Sequence, residues 1–217
     1  MRVLAGAAGM VRVELGGVTP AENGAHGLHV DDQTHESDAG IHFVARDVRI
    51  LANGFEPSVS DYDGVRLDEG GHGDLLADVL RMTAVGKAGD GNEYDERGPG
   101  SAVATVRHSV FDHNGTQPQN PDDLEDGFDI DEAGGGIRVR FNHVTTLESR
   151  DGDGIKLEEF GPGDLDAFVN QARVNANADD GLQFEQVGEG SGVLRLRASD
   201  VSGNADDDLN LDGVELD

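Results

Sequence analysis

Short alternating runs of apolar and polar residues recur along the chain, each entered through an acidic residue or histidine and usually a glycine. Asp63-Gly64-Val65-Arg66-Leu67-Asp68-Glu69, Asp126-Gly127-Phe128-Asp129-Ile130-Asp131-Glu132 and Asp153-Gly154-Ile155-Lys156-Leu157-Glu158-Glu159 are clear copies. Others begin at His26, Asp90, Asp180 and Asp207. From Asp63 onward the steps are 27, 36, 27, 27 and 27 residues. The long step carries nine extra residues, which fit in the polar segment Gly115 to Glu125. The first inward position reads Leu28, Val65, Asn92, Phe128, Ile155, Leu182, Leu209, and the second Val30, Leu67, Tyr94, Ile130, Leu157, Phe184, Leu211. A period of two predicts half-buried strands. Strands this short cannot bury a face alone, but stacked in register about 4.8 Å apart they can.

A second landmark fixes the rest of the unit. Gly-x-Gly follows each clear acidic pair, at Gly71/Gly73, Gly98/Gly100, Gly134/Gly136, Gly161/Gly163 and Gly188/Gly190. Another apolar run comes next, such as Val103-Ala104-Thr105-Val106 or Val193-Leu194-Arg195-Leu196. The unit therefore reads strand, Gly-rich turn, strand, short strand or bend, acidic turn. A propeller or sandwich would need hairpins with two-residue turns, which these turns do not match. A calcium-binding nonapeptide roll would need GGxGxD at alternate turns, and the chain has no such series.

These junctions carry a resemblance. Asn177-Ala178-Asp179-Asp180-Gly181-Leu182, and Asn204-Ala205-Asp206-Asp207 before Leu209-Asn210-Leu211, resemble the asparagine-turn-strand junction of right-handed parallel β-helix proteins of the pectate-lyase-like superfamily. The likeness covers about Asn23 to the C-terminus. It implies an all-β, single-stranded right-handed parallel β-helix (solenoid) with about 27-residue coils. Residues 1–217 would form one such domain, complete or a piece of a longer chain, with loops at 33–39, 52–62 and 115–125. The surface between the last two loops is the first place to expect a ligand, because loops on a rigid scaffold carry function. Gly70-Gly71-His72-Gly73 and the run Arg150 to Lys156 also echo polygalacturonase motifs. The echo is short, and the repeat already accounts for its glycines.

Charge sharpens the picture. With 44 acidic against 16 basic residues the formal charge is −28, which argues against nucleic-acid binding and adsorption to anionic membranes. There is no cysteine, and no apolar run long enough for membrane insertion. Stacking would align Asp31, Asp68, Asp95, Asp131, Glu158, Glu185 and Asp212 in one outward row, and Asp63, Asp90, Asp126, Asp153, Asp180 and Asp207 in another. Two unit charges about 4.8 Å apart repel by about 0.9 kcal/mol in water and about 3.5 kcal/mol at an effective dielectric of about 20. Bound cations, raised carboxyl pKa values, ambient salt or neighbouring Arg and Lys must offset this. Ca²⁺ suits carboxylates and turn carbonyls, so Asp95, Asp131, Glu158, Glu185, Asp153 and Asp180 are the expected metal ligands.

The outward stripe between the inward pair is mixed: His29, Arg66, Glu93, Asp129, Lys156, Gln183, Asn210. In the resembling enzymes active-site groups project from this sheet. That implies Lys156, Arg66, Asp131 and Glu158 as catalytic candidates on a uronic-acid polymer, by elimination or by paired-acid hydrolysis. The bland reading makes them the solvent-facing half of a strand ladder. His26 and His29, three apart, should lie on opposite strand faces. His42, His108, His113 and His143 read as solvent-facing or turn residues, and Asn23, Asn114, Asn177 and Asn204 as a stack of side-chain amides. Without caps, the solenoid ends suggest self-association. The functional expectation is a non-catalytic, acidic, Ca²⁺-stabilised scaffold for assembly or carbohydrate contact, secreted or on a cell surface (or in a halophile's cytoplasm). A polysaccharide lyase or hydrolase is the alternative.

Overall fold

The computed structural model describes residues 1–4, 9–32, 38, 40–54, 62–116 and 124–217. Most of the three expected loops, with His35, Pro57, Pro118 and Pro121, lies outside the described residues. Among the described residues every regular element is a strand, and all the pairings between strands are parallel. Three sheets form. The first contains Arg2–Leu4, Leu28–Asp32, Val65–Glu69, Asn92–Glu96, Phe128–Glu132, Ile155–Glu159, Leu182–Gln186 and Leu209–Asp212, hydrogen-bonded in that order. Strands such as Ile41–Arg46, Leu75–Leu80, Ala102–Arg107 and Gly136–Asn142 build the second sheet, and three-residue strands such as Thr83–Val85 and Val110–Asp112 the third. From Leu28–Asp32 onward the chain visits the three sheets in rotation, an arrangement compatible with a parallel β-helix.

The expected columns are present in register. Val65 faces Asn92, Asn92 faces Phe128, Phe128 faces Ile155 and Ile155 faces Leu182. All five are fully buried. Asn92, the polar member, donates through Nδ2 to the Tyr94 hydroxyl at 3.0 Å. At mid-length the core is aromatic: Phe128 packs edge-on to Tyr94, Phe111 and Phe141, with centroids 5.0, 5.4 and 5.1 Å away. Its four rings come from all three sheets, so this cluster ties the sheets together.

Two kinds of corner let the chain turn. Between the first and second sheets the Gly-rich turns stack so tightly that a Cβ on Gly98 would lie 1.6 Å from the Gly71 carbonyl oxygen. At the corners flanking the third sheet, single residues take left-handed φ, among them Arg81 (53°), His108 (52°) and His143 (55°) on one side and His113 (54°) and Ala176 (60°) on the other. The expectation that His108, His113 and His143 occupy turns is met there.

Candidate functional site

The row of entry aspartates from Asp63 to Asp180 is buried rather than solvated. Asp63, Asp90, Asp126, Asp153 and Asp180 sit at the entry to five successive first-sheet strands and are at most 5% exposed. Each uses Oδ1 to accept the backbone N–H of the aspartate one coil on. Asp90 N reaches Asp63 at 3.0 Å, Asp180 N reaches Asp153 at 2.7 Å and Asp207 N reaches Asp180 at 2.8 Å, with Asp126 and Asp153 bonded likewise to Asp90 and Asp126. These aspartates are bracket residues that hold successive turns together.

The stripe beside them is not the solvent-facing half of a ladder either. Arg66, whose side chain is 14% exposed, reaches Asp63 (3.5 Å), Asp68 (3.2 Å), Asp95 (3.0 Å) and Glu93. Lys156 lies 2.6 Å from Glu158 and 3.9 Å from both Asp129 and Asp131. His29 bonds Asp68 at 2.6 Å, Gln183 donates to Glu185 at 2.8 Å and Asn210 donates to Asp180 at 2.7 Å. Thus the stripe's donors sit between the two acid columns and serve them. Burial pushes the Asp68 carboxyl up, but His29 and Arg66 outweigh it and hold the group well below the usual carboxylate range. Lys156 moves the opposite way: burial disfavours its charge, yet Asp129, Asp131, Asp126 and Glu158 hold the amine protonated far beyond its ordinary range.

Glu93 and Asp129 break the pattern, because they bring negative charge to the stripe. Burial, then the charges of neighbouring carboxylates, raise Asp90, Glu93, Asp126 and Asp129 well above the carboxylate range. Burial also lifts Asp95 to about 7, against the pull of Arg66 and Arg97.

A third acid column runs inside the sheet: Asp32, Glu69, Glu96, Glu132 and Glu159, each fully buried, with Gln186 at the next rung. Oε1 of the glutamates accepts a Gly-turn N–H, from Gly71 (3.1 Å), Gly98 (2.8 Å), Gly134 (2.7 Å) and Gly161 (2.8 Å). Their Oε2 atoms are buried with no N–H partner and face carboxyls one rung away. Burial, reinforced by these neighbours, pushes Glu96 to about 10 and Glu159 to about 8. Sequence reading missed this column. One further step of the alternation, Val65 to Leu67 to Glu69, would have placed it inward.

No protein-family model, curated protein or solved structure matches this chain. Its function must therefore be read from its own residues.

Of the six expected metal ligands, Asp153 and Asp180 meet, joined by Asp179, with one oxygen from each lying within 4.8 Å of the others. Burial lifts Asp153 to about 7, and Asp180 and Asp179 add to the rise. Asp95, Asp131, Glu158 and Glu185 share a register column, in which Asp95 faces Arg66 and Arg97, Asp131 and Glu158 face Lys156, and Glu185 accepts from Gln183. The histidine expectation needs correction. His26 lies before the strand begins, so alternation does not apply to it, and its ring stands 4.9 Å from those of His29 and Tyr62.

The amide stack exists and includes Asn53. Asn23 donates to Asn53 at 2.8 Å and Asn177 to Asn204 at 2.8 Å. Asn114 takes part through the Lys87 N–H. Lys87 occupies an asparagine rung: its backbone N–H bonds Asn114 Oδ1, but its side chain is fully buried and Nζ donates to the Val85 carbonyl at 3.0 Å. Burial alone drops this amine to about 7. Lys87→Asn is expected to repair the stack and stabilise the protein by about 1–2 kcal/mol, the scale of a buried polar group given its partner. Urea denaturation of the variant checks this, and a loss of stability would count against the reading.

Proposed function

We propose that the chain is a right-handed parallel β-helix of about 27-residue coils. In this reading it serves as a non-catalytic, acidic scaffold for assembly or carbohydrate contact, stabilised by Ca²⁺ and placed outside the cell or on its surface. One observation carries the non-catalytic reading. The groups that would perform elimination on a uronate polymer are tied to one another. A general base must be free to accept a proton, but Lys156 is held as an ammonium among Asp129, Asp131 and Glu158. Asp131 and Glu158, the pair that hydrolysis would use, share that same ammonium. The depression that Asp131 lines, of about 200 Å³, is shared with Asp95, Arg97, Glu132 and Phe160, and does not include Lys156 or Glu158.

The test is incubation with polygalacturonate, alginate and neutral glucans, with and without Ca²⁺, followed by ultraviolet absorbance for unsaturated uronates and by a reducing-end assay. No product is expected. Product that disappears in Lys156→Ala would replace this reading with the lyase or hydrolase one.

A further inference from the structure

The basic residues of this acidic chain are not spread evenly. Arg66 and Lys156 are spent on first-sheet carboxylates, whereas the outer face of the second sheet carries a surplus of arginine. On the strands Ala102–Arg107, Gly136–Asn142, Asp164–Asn170 and Gly192–Arg197, buried residues such as Val139 and Ala167 alternate with outward ones. The outward positions hold Arg107, Arg138, Arg140, Arg195 and Arg197 against two aspartates, Asp164 and Asp166. Asp164 is taken up by Ser191, whose N–H and hydroxyl donate to it at 2.9 and 3.1 Å. Asp166 accepts from Arg195 and lies 4.0 Å from Arg138. Arg140 and Arg197 are exposed and have no ion-pair partner among the described residues.

These two unspent cations flank an aromatic ring. Phe168 is the register partner of Arg140 on the next strand, and the Arg197 guanidinium lies over its ring, 5.7 Å from the centroid. Beside them a depression of about 250 Å³ is lined by Val103, Arg138 and Asp166. The strands of Arg140 and Arg197 are two rungs apart, roughly 10 Å, close to the disaccharide repeat of an extended glycan. In a β-1,4-linked chain of carboxylated sugars, carboxylates on alternate sugars lie on the same side. Charge, ring, charge is the complement of such a chain: guanidinium forks match carboxylates, and sugar C–H groups pack on the negative face of an aromatic ring. The face already shows the first match, because Asp166 seats a carboxylate between arginines of its two flanking strands. We infer that an acidic glycan chain docks on the outer face of the second sheet, with its carboxylates on Arg140 and Arg197 and the intervening sugar on Phe168. This rests on the carbohydrate-contact reading proposed above and names its surface and partner. A second copy of the chain fits less well, since its first-sheet acids are bonded to Arg66, Lys156 and His29. A phosphodiester strand, more densely charged, would be repelled by the rest of a chain at −28.

The test is calorimetric titration of the intact chain with an oligomer of β-1,4-linked mannuronate, in chelator so that no Ca²⁺ bridges carboxylates. The samples are wild type, Arg140→Gln, Phe168→Ala and Arg150→Gln. Arg150 is exposed and lies outside the strands of this sheet, so it controls for the loss of one positive charge. Wild type should bind, and more weakly as salt is added. Arg140→Gln should bind at least tenfold more weakly and Phe168→Ala at least threefold, while Arg150→Gln binds as wild type does. Melting curves should show all three folded, since none of these side chains belongs to the core cluster; should Phe168→Ala not fold, Arg140→Gln decides by itself. No binding by wild type, or an equal loss in Arg150→Gln and Arg140→Gln, would overturn this docking face. Polyglutamate or oligothymidylate binding as tightly as the glycan would overturn the glycan as its occupant. These failures leave the non-catalytic reading standing, which falls instead if the oligomer is cleaved.

Discussion

Replacing Phe128 by alanine is expected to destabilise the protein by about 3–5 kcal/mol, the range for emptying a buried aromatic site. The residue is fully buried and touches rings from each of the three sheets. A cavity there cannot collapse easily, because the backbone around it is fixed by parallel ladders on both sides of the Phe128 strand. Phe168→Ala is the control. Its half-buried ring lies outside the core cluster, 5.7 Å from the Arg197 guanidinium, and its loss should cost about 1 kcal/mol or less. Urea midpoints with an unchanged slope would report both values. A cost near 1 kcal/mol for Phe128 would mean that the aromatic cluster does not join the sheets.

The second large effect is on pH dependence. Glu96 and Glu159 have folded-state pKa values of about 10 and about 8 against 4.5 for the free side chain. A raised folded-state pKa means that the folded protein binds more protons than the unfolded chain. The associated stability is therefore complete below about pH 4.5 and is lost as pH rises through the folded values. Asp63 and Asp68 act in the opposite sense, since their lowered pKa values remove stability as pH falls below the ordinary aspartate range. In chelator, the melting temperature should peak in mildly acidic solution and fall steadily from pH 5 to pH 9. Each carboxyl protonated only in the folded state contributes a slope of about 1.4 kcal/mol per pH unit. General repulsion in so acidic a chain has the same sign. The discriminating sample is Glu96→Gln/Glu159→Gln, which replaces the two carboxyls of raised pKa by neutral amides. That variant should flatten the slope. A wild-type melting temperature that rises from pH 5 to pH 8 would contradict the proton-sharing column.

The repeat was legible because stacking needs the same residue type at the same place in every coil. Leu28, Val65, Ile155 and Leu182 announced a buried column, and Asp31 through Asp212 announced an acidic one, whichever way the chain winds. Burial of the acids was not legible. A turn aspartate on a lone strand would face water, but Asp90 and Asp153 are covered because each caps the backbone of its neighbour in space, 27 or more residues away. The glutamate column escaped notice because charge was taken to end the inward pattern at Leu67 and Ile130. Alternation continues for one more residue, and the Gly turns supply N–H groups to receive it. Lys87 was invisible for the opposite reason, since it departs from the repeat at a rung where asparagine is the rule.

Coil-on-coil register is the claim from which the bracket aspartates, the buried glutamate column and the aromatic cluster all derive. It is tested most directly by distances between paired spin labels on the outer face of the second sheet. Arg12, His42, Leu76, Val103, Arg138, Asp166, Val193 and Glu215 are successive register partners. Since the chain has no cysteine of its own, labels can be placed at Arg12 with Arg138, with Val193 and with Glu215. At about 4.8 Å per rung, the separations should be about 19, 29 and 34 Å. Values that fail to grow rung by rung, or a Glu215 label close to Arg12, would contradict the stacked arrangement.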